Sequence, residues 1–181
     1  TPSPIKQKTP PPIKQKIPPT QSIENYDVSK GVTLAEKYND RNATGMYMSE
    51  KLNGVRAIWT GKQLKSRTDK SIHAPSWFLN KLPQNVALNG ELFLDRGKFE
   101  DTTSIVSKKV PKNSEWKKIK YMIFNKPSLQ QQPFKNRYKN LTELEKKICN
   151  GLPNCPFKLV QQTQVKDHAH LKQTYNKILN L

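Results

Sequence analysis

Residues 49–69 read SEKLNGVRAIWTGKQLKSRTD, and this stretch decides the fold. Val55 to Thr60 and Gln63 to Arg67 are short runs of the kind strands are made from, and Thr60-Gly61-Lys62 between them is a tight hairpin turn. Lys51 stands just after a further short run, Met46 to Ser49, and a glycine-containing turn then leads to Arg56 on the next strand. An ordinary lysine amine is about one part in a few thousand neutral at pH 7, so a lysine nucleophile needs neighbouring cations or a metal to favour its reactive form. Arg56 is placed to help, and Gly54 lets the backbone come close to a bound phosphate. Taken alone, Lys-x-Asn-Gly-x-Arg fits a basic hairpin as well as it fits a reactive site.

Working outward, the alternating pattern begins at about Thr44 and continues with strands at Ala87 to Leu94, Lys120 to Phe124 and Phe157 to Gln162. Two helices are expected near the end. One covers Leu141 to Ile148, opened by Asn140 with Glu143 three residues on and closed by Asn150-Gly151; the other covers His168 to Leu179 after Asp167. The pattern gives an α+β fold in which antiparallel strands dominate. Before this body, residues 1–25 repeat SPIKQKTP as PPIKQKIP, with prolines, lysine pairs and no acid until Glu24. Such a segment cannot pack a core and reads as a polyproline-II linker and, compatibly, a basic arm that tracks phosphates.

The charge points to the partner. Against 32 Lys and Arg stand 14 Asp and Glu, a net charge of +18. A polyanion is implied, and nucleic acid fits better than a membrane surface, because no amphipathic or lipidated element accompanies the charge. No apolar run of about 18 residues offers a membrane span. Cys149 and Cys155 are the only cysteines, too few for a zinc site or a disulfide framework. They are expected to be ordinary reduced residues, which favours an intracellular setting. The chain starts at Thr1, so removal of a leader leaves export open.

Three more segments follow Lys51 in order: Ser66-Arg67-Thr68, Leu88-Asn89-Gly90-Glu91-Leu92, and Tyr121-Met122-Ile123-Phe124-Asn125. With the longer string from Ser49 to Phe99, they carry a resemblance to the ATP-dependent DNA ligases of the covalent nucleotidyltransferase superfamily, and most to the compact bacterial and viral enzymes. The resemblance continues through about Leu181. It implies an antiparallel-sheet-rich, ATP-grasp-like adenylation domain over residues 26–181. It further implies that Lys51 attacks the α-phosphate of ATP, pyrophosphate leaves, and the lysine-bound AMP passes to a 5′-phosphate at a nick in duplex DNA. Glu50, Arg56, Arg67, Glu91 and Phe124 would bind nucleotide: the arginines on phosphates, Glu91 near the ribose and the metal-bound water, Phe124 stacked on adenine. Mg²⁺, linked to Glu91, would accompany ATP, and the enzyme would act as a monomer. His73 has no role in that chemistry and is assigned to structure or DNA contact.

Two departures stand out. Asn53, Asn89 and Asn125 occupy positions where ligases usually carry aspartate, which keeps shape but loses charge. In the family, a Gly-Glu-Gly strand motif, a Lys-x-Lys motif and an oligonucleotide-binding-fold domain follow the last helix, and none is present up to Leu181. The expectation is therefore a C-terminally incomplete domain that by itself binds nucleotide poorly and seals nothing. A non-catalytic basic DNA-binding protein derived from a ligase, and an RNA ligase or capping-type nucleotidyltransferase, are the competing readings.

Overall fold

The structure is a computed structural model that describes residues 38–180. The proline-rich repeat of residues 1–25 lies outside the described residues. Among the described residues, seven strands form one five-stranded sheet and one two-stranded ribbon, and five α-helices accompany them. The large sheet has the order β3-β2-β4-β5-β6, made of β2 (Val55–Trp59), β3 (Leu64–Lys65), β4 (Leu88–Phe93), β5 (Lys120–Asn125) and β6 (Phe157–Leu159). The β3-β2-β4-β5 neighbours are antiparallel and β5-β6 is parallel, so the sheet is antiparallel-rich as expected. A parallel pair needs a long crossover, and α4 (Phe134–Cys149) supplies it, packing against β5 and β6. The ribbon pairs β1 (Tyr47–Met48) with β7 (Thr163–Gln164) and fixes the chain just before Glu50.

The period-two alternation of the strands separates two faces. Ala57, Trp59, Leu88, Leu92, Tyr121 and Ile123 point to one side and are buried. They pack with Phe78 of α1 (Ser76–Leu79), Ile105 and Val106 of α2 (Phe99–Val106) and Trp116 of α3 (Asn113–Trp116). Phe78 and Trp116 meet edge to face, with ring centroids 4.9 Å apart. Arg56, Ile58, Asn89, Glu91 and Met122 belong to the opposite face.

Tyr121 locks the three central strands together. Its hydroxyl lies 3.0 Å from the carbonyl oxygens of both Ala57 and Leu88 and accepts from the Trp59 N–H at 3.2 Å. The ring can cross β4 only because position 90 is glycine: a Cβ there would sit 2.6 Å from Tyr121 Cε2 and 2.6 Å from the Met122 carbonyl oxygen. Gly61, in the hairpin turn, has φ +95°, and the turn closes with Thr60 N–H donating to the Gln63 carbonyl at 2.9 Å.

Several sequence expectations change. The Leu141–Ile148 helix begins at Phe134 instead, after Pro133, which has no amide hydrogen to leave unsatisfied and presets the entry. Asn140 is then mid-helix, where its Oδ1 accepts from Lys126 Nζ at 2.9 Å, and the helix ends at left-handed Asn150 as expected. The short helices α1, α2 and α3 lacked a visible start signal, since none of their N-caps makes a side-chain hydrogen bond. By contrast α5 (His168–Leu179) starts where read, with Asp167 Oδ1 accepting from the His170 N–H at 2.7 Å.

A further correction concerns the cysteines. Cys149, at the end of α4, and Cys155, just before β6, are joined in a disulfide with Cα atoms 5.5 Å apart, rather than reduced. Six residues apart in a sequence with no second pair, they gave no framework to read; the α4–β6 crossover is what brings them together. The cysteine argument for a reducing, intracellular setting falls with this pairing. Closing so short a loop stabilises by about 2 kcal/mol through the unfolded chain, so Cys149→Ser/Cys155→Ser is expected to melt roughly 5 °C lower. Thiol titration of denatured, unreduced protein checks the bridge directly: no free thiol is expected, and two per chain would contradict it.

Candidate active site

The loop that carries Lys51 is held between fixed points. Behind it, β1 is paired with β7; ahead of it, Gly54 enters β2 against the central strand β4. Gly54 N–H donates to Glu91 Oε1 at 3.2 Å. The approach is so close that a Cβ at position 54 would overlap the Leu92 carbonyl oxygen and lie 2.9 Å from Glu91 Cγ. The sequence suggested a glycine for a phosphate to approach; the structure shows the neighbouring strand making the close approach.

Arg56 pairs across the ladder with Glu91, and both are half-buried on the open face of the sheet. Burial raises the Glu91 carboxyl above the usual glutamate value, against the opposing pull of the Gly54 amide, Arg56 and Lys51. Lys51, Arg56 and Glu91 therefore share one electrostatic neighbourhood. Lys51 itself is exposed, within the loop between β1 and β2 rather than inside the sheet.

Phe124 joins them through a β-bulge. Gly90 pairs with Ile123 and Asn89 with Asn125, so Phe124 is the extra residue on β5. The Arg56 guanidinium carbon lies 4.5 Å from the centre of its ring, a cation–π contact that covers one side of the aromatic. Arg67 lies on a separate loop. Its turn is held by Ser66 N–H donating to the Lys70 carbonyl at 2.8 Å and by a 2.9 Å Lys65–Asp69 ion pair, which leaves Arg67 exposed at the tip. Ile58 pairs with Lys65, the last residue of β3, so Arg67 lies two residues beyond the end of the β2–β3 ladder. His73 is exposed.

Glu50 is engaged elsewhere. Arg96, in the loop after β4, donates to both its oxygens, Nε to Oε1 at 2.8 Å and Nη2 to Oε2 at 2.7 Å. Neither Arg96 nor Arg137 was singled out in the sequence. Arg137 of α4 donates from Nη1 to Asn125 Oδ1 at 2.9 Å and sits 5.4 Å from the Phe134 ring centre. The turn Asp95-Arg96-Gly97, directly after a strand, was the available signal for the first; the second became visible only once α4 was known to start at Phe134. Asn89 is fully buried and Asn53 exposed.

The sequence is 34% identical over 148 residues to a DNA ligase of Haemophilus influenzae, across 82% of this chain and 52% of that protein. Among solved structures, a Lig E DNA ligase superposes with a TM-score of 0.72 at 34% identity, across 82% of this chain and 57% of that one. In sequence and in fold this chain is similar to the adenylation domain of the ATP-dependent DNA ligases. A chlorella virus DNA ligase-adenylate has the same fold, with a TM-score of 0.61 at 19% identity over 81% of this chain and 54% of its own. No protein-family model matches. The chain spans about half the length of the ligases it matches.

Among the described residues no three His, Cys, Asp or Glu side chains gather into a metal cage. Glu91 is the carboxylate on the open face of β2, β4 and β5. That suits a Mg²⁺ ion carried in on triphosphate oxygens, since Mg²⁺ is commonly held by one or two carboxylates plus substrate phosphate and water.

The raised Glu91 pKa fixes a pH dependence. Above the unfolded glutamate value the folded chain holds this proton more tightly than the unfolded chain does, so Glu91 costs stability progressively as pH rises through that window. Glu91→Gln keeps an acceptor for the Gly54 amide and removes the charge. Its stability relative to wild type, followed by denaturant unfolding from pH 4 to pH 7, is expected to improve as pH rises; a constant or shrinking difference would contradict the assignment.

Proposed function

We propose that this chain is the nucleotide-binding part of a DNA ligase that joins a 5′-phosphate to a 3′-hydroxyl at a nick through an AMP attached to Lys51. The observation that carries the reading is the grouping of Lys51 and Arg56 about the Glu91 carboxylate, in a chain 34% identical to a DNA ligase. The Lys51 amine attacks the α-phosphorus of ATP, the bond to the β,γ-diphosphate breaks, and pyrophosphate leaves with that electron pair. Glu91, with Oε1 occupied by Gly54, offers Oε2 to a ribose hydroxyl. Arg56, on β2, and Arg67, on the loop after β3, hold phosphate, a task suited to planar guanidinium. Adenine stacks on the side of Phe124 away from Arg56. Mg²⁺ bound to the triphosphate would neutralise charge on the leaving pyrophosphate.

The net charge of +18 supports nicked duplex DNA as the partner, through phosphate neutralisation. No helix among the described residues is long and apolar enough to cross a membrane. The ligase acts as a monomer in this reading.

The asparagines support a second reading, a ligase-derived protein that binds DNA without adenylation. Neutral asparagine presents no charged group to nucleotide; Asn125 accepts from Arg137 and Asn89 is fully buried. One assay separates the two. Full-length protein incubated with α-labelled ATP and Mg²⁺ is expected to become labelled, and the label to leave on addition of nicked duplex. Lys51→Ala should abolish labelling while leaving salt-sensitive DNA binding within about twofold. Unlabelled wild type that still binds DNA would support the second reading, and labelling by GTP in preference to ATP would move the chain toward the capping enzymes.

A further inference from the structure

Arg96 has no place in the chemistry above, yet its contact with Glu50 is among the most closely matched polar pairs in the structure. Two parallel hydrogen bonds, 2.8 Å from Nε and 2.7 Å from Nη2, join the guanidinium edge to the carboxylate. Glu50 is the peptide neighbour of Lys51. Arg96 is itself held in a short turn: its N–H donates to its neighbour Asp95 Oδ1 at 2.8 Å, Lys98 N–H donates to the Asp95 carbonyl at 3.2 Å, and Gly97 takes φ +69°.

The position of this pair in the chain gives it meaning. Residues 49–53 lie between β1 and β2 in no helix or strand. Glu50 is pinned by Arg96, from the loop after β4; Gly54 is pinned by Glu91, within β4. Lys51 lies between two attachments to the same strand and its exit loop. An exposed ion pair contributes little to stability, and here Arg96 is 45% and Glu50 26% exposed. A bidentate pair nonetheless fixes direction as well as distance. We propose that Arg96 is a positioning residue for Lys51, holding Glu50 so that the adjacent amine is aimed at the α-phosphorus. This rests on the proposed adenylation of Lys51, and it reassigns Glu50 from contacting nucleotide to orienting the nucleophile.

The test is the single-turnover rate of AMP–lysine formation in the full-length protein, measured against ATP concentration for wild type, Arg96→Gln, Glu50→Gln, the double variant, Arg96→Lys and the exchanged pair Glu50→Arg/Arg96→Glu. Misplacing a nucleophile by about 1 Å costs on the order of 100-fold, so each Gln variant is expected to lower the maximal rate 10- to 100-fold. Half-saturation by ATP and the melting temperature should stay as in wild type. The double variant should be no slower than either single one, Arg96→Lys should be intermediate because ammonium cannot make the paired contact, and the exchanged pair should recover part of the rate. Arg96→Gln labelling at the wild-type rate, or losses that multiply in the double variant, would overturn the proposal while leaving Lys51 adenylation intact. So would a shift confined to ATP half-saturation, which would make Arg96 a nucleotide contact. Wild-type protein that takes no label removes both the proposal and the reading beneath it.

Discussion

The contact on which the site depends is the one between Gly54 and β4. With no side chain at position 54, the start of β2 lies against the Leu92 carbonyl, and its amide reaches the Glu91 carboxylate. Any side chain there would force the two strands apart where the loop carrying Lys51 enters the sheet. The same economy appears at Gly90, where the absence of a Cβ lets the Tyr121 ring cross β4 and tie β2, β4 and β5 through one hydroxyl. Two glycines, one just before β2 and one within β4, thus set the spacing of the strands from which Arg56, Glu91 and Phe124 project.

The electrostatics follow from that spacing. Drawing β2 onto β4 half-buries Glu91, and burial is the largest influence on its carboxyl. The amide of Gly54 and the charges of Arg56 and Lys51 oppose the cost without cancelling it. A site of this kind is assembled at some expense to folding, which is the usual condition of groups kept for chemistry rather than stability. Arg56 is shared between two duties, since the side chain that pulls on Glu91 also covers one side of Phe124.

Much of this was legible in the sequence because strands announce themselves locally. The alternation from Val55 to Trp59 and from Leu88 to Phe93, with a Gly61 turn between β2 and β3, required no tertiary information. The α5 start was equally plain, as Asp167 is a side-chain cap. Helices that begin without such a cap, as α1, α2 and α3 do, left no mark of their own. Contacts between distant segments were beyond reach for a different reason. Glu50 and Arg96 are 46 residues apart, and the parallel seating of β6 beside β5, which brings Cys149 to Cys155, depends on a crossover helix whose start was misread. Lys51 and its motif neighbours could be named in advance; what each touches could not.

Lys51, and no other lysine, is proposed as the adenylated amine. Peptide mapping by mass spectrometry of the full-length protein after reaction with ATP and Mg²⁺, kept at neutral to alkaline pH to preserve a phosphoramidate, tests it most directly. AMP is expected on the peptide containing Lys51 and on no other lysine. AMP on a different lysine, with Lys51 unmodified, would contradict it.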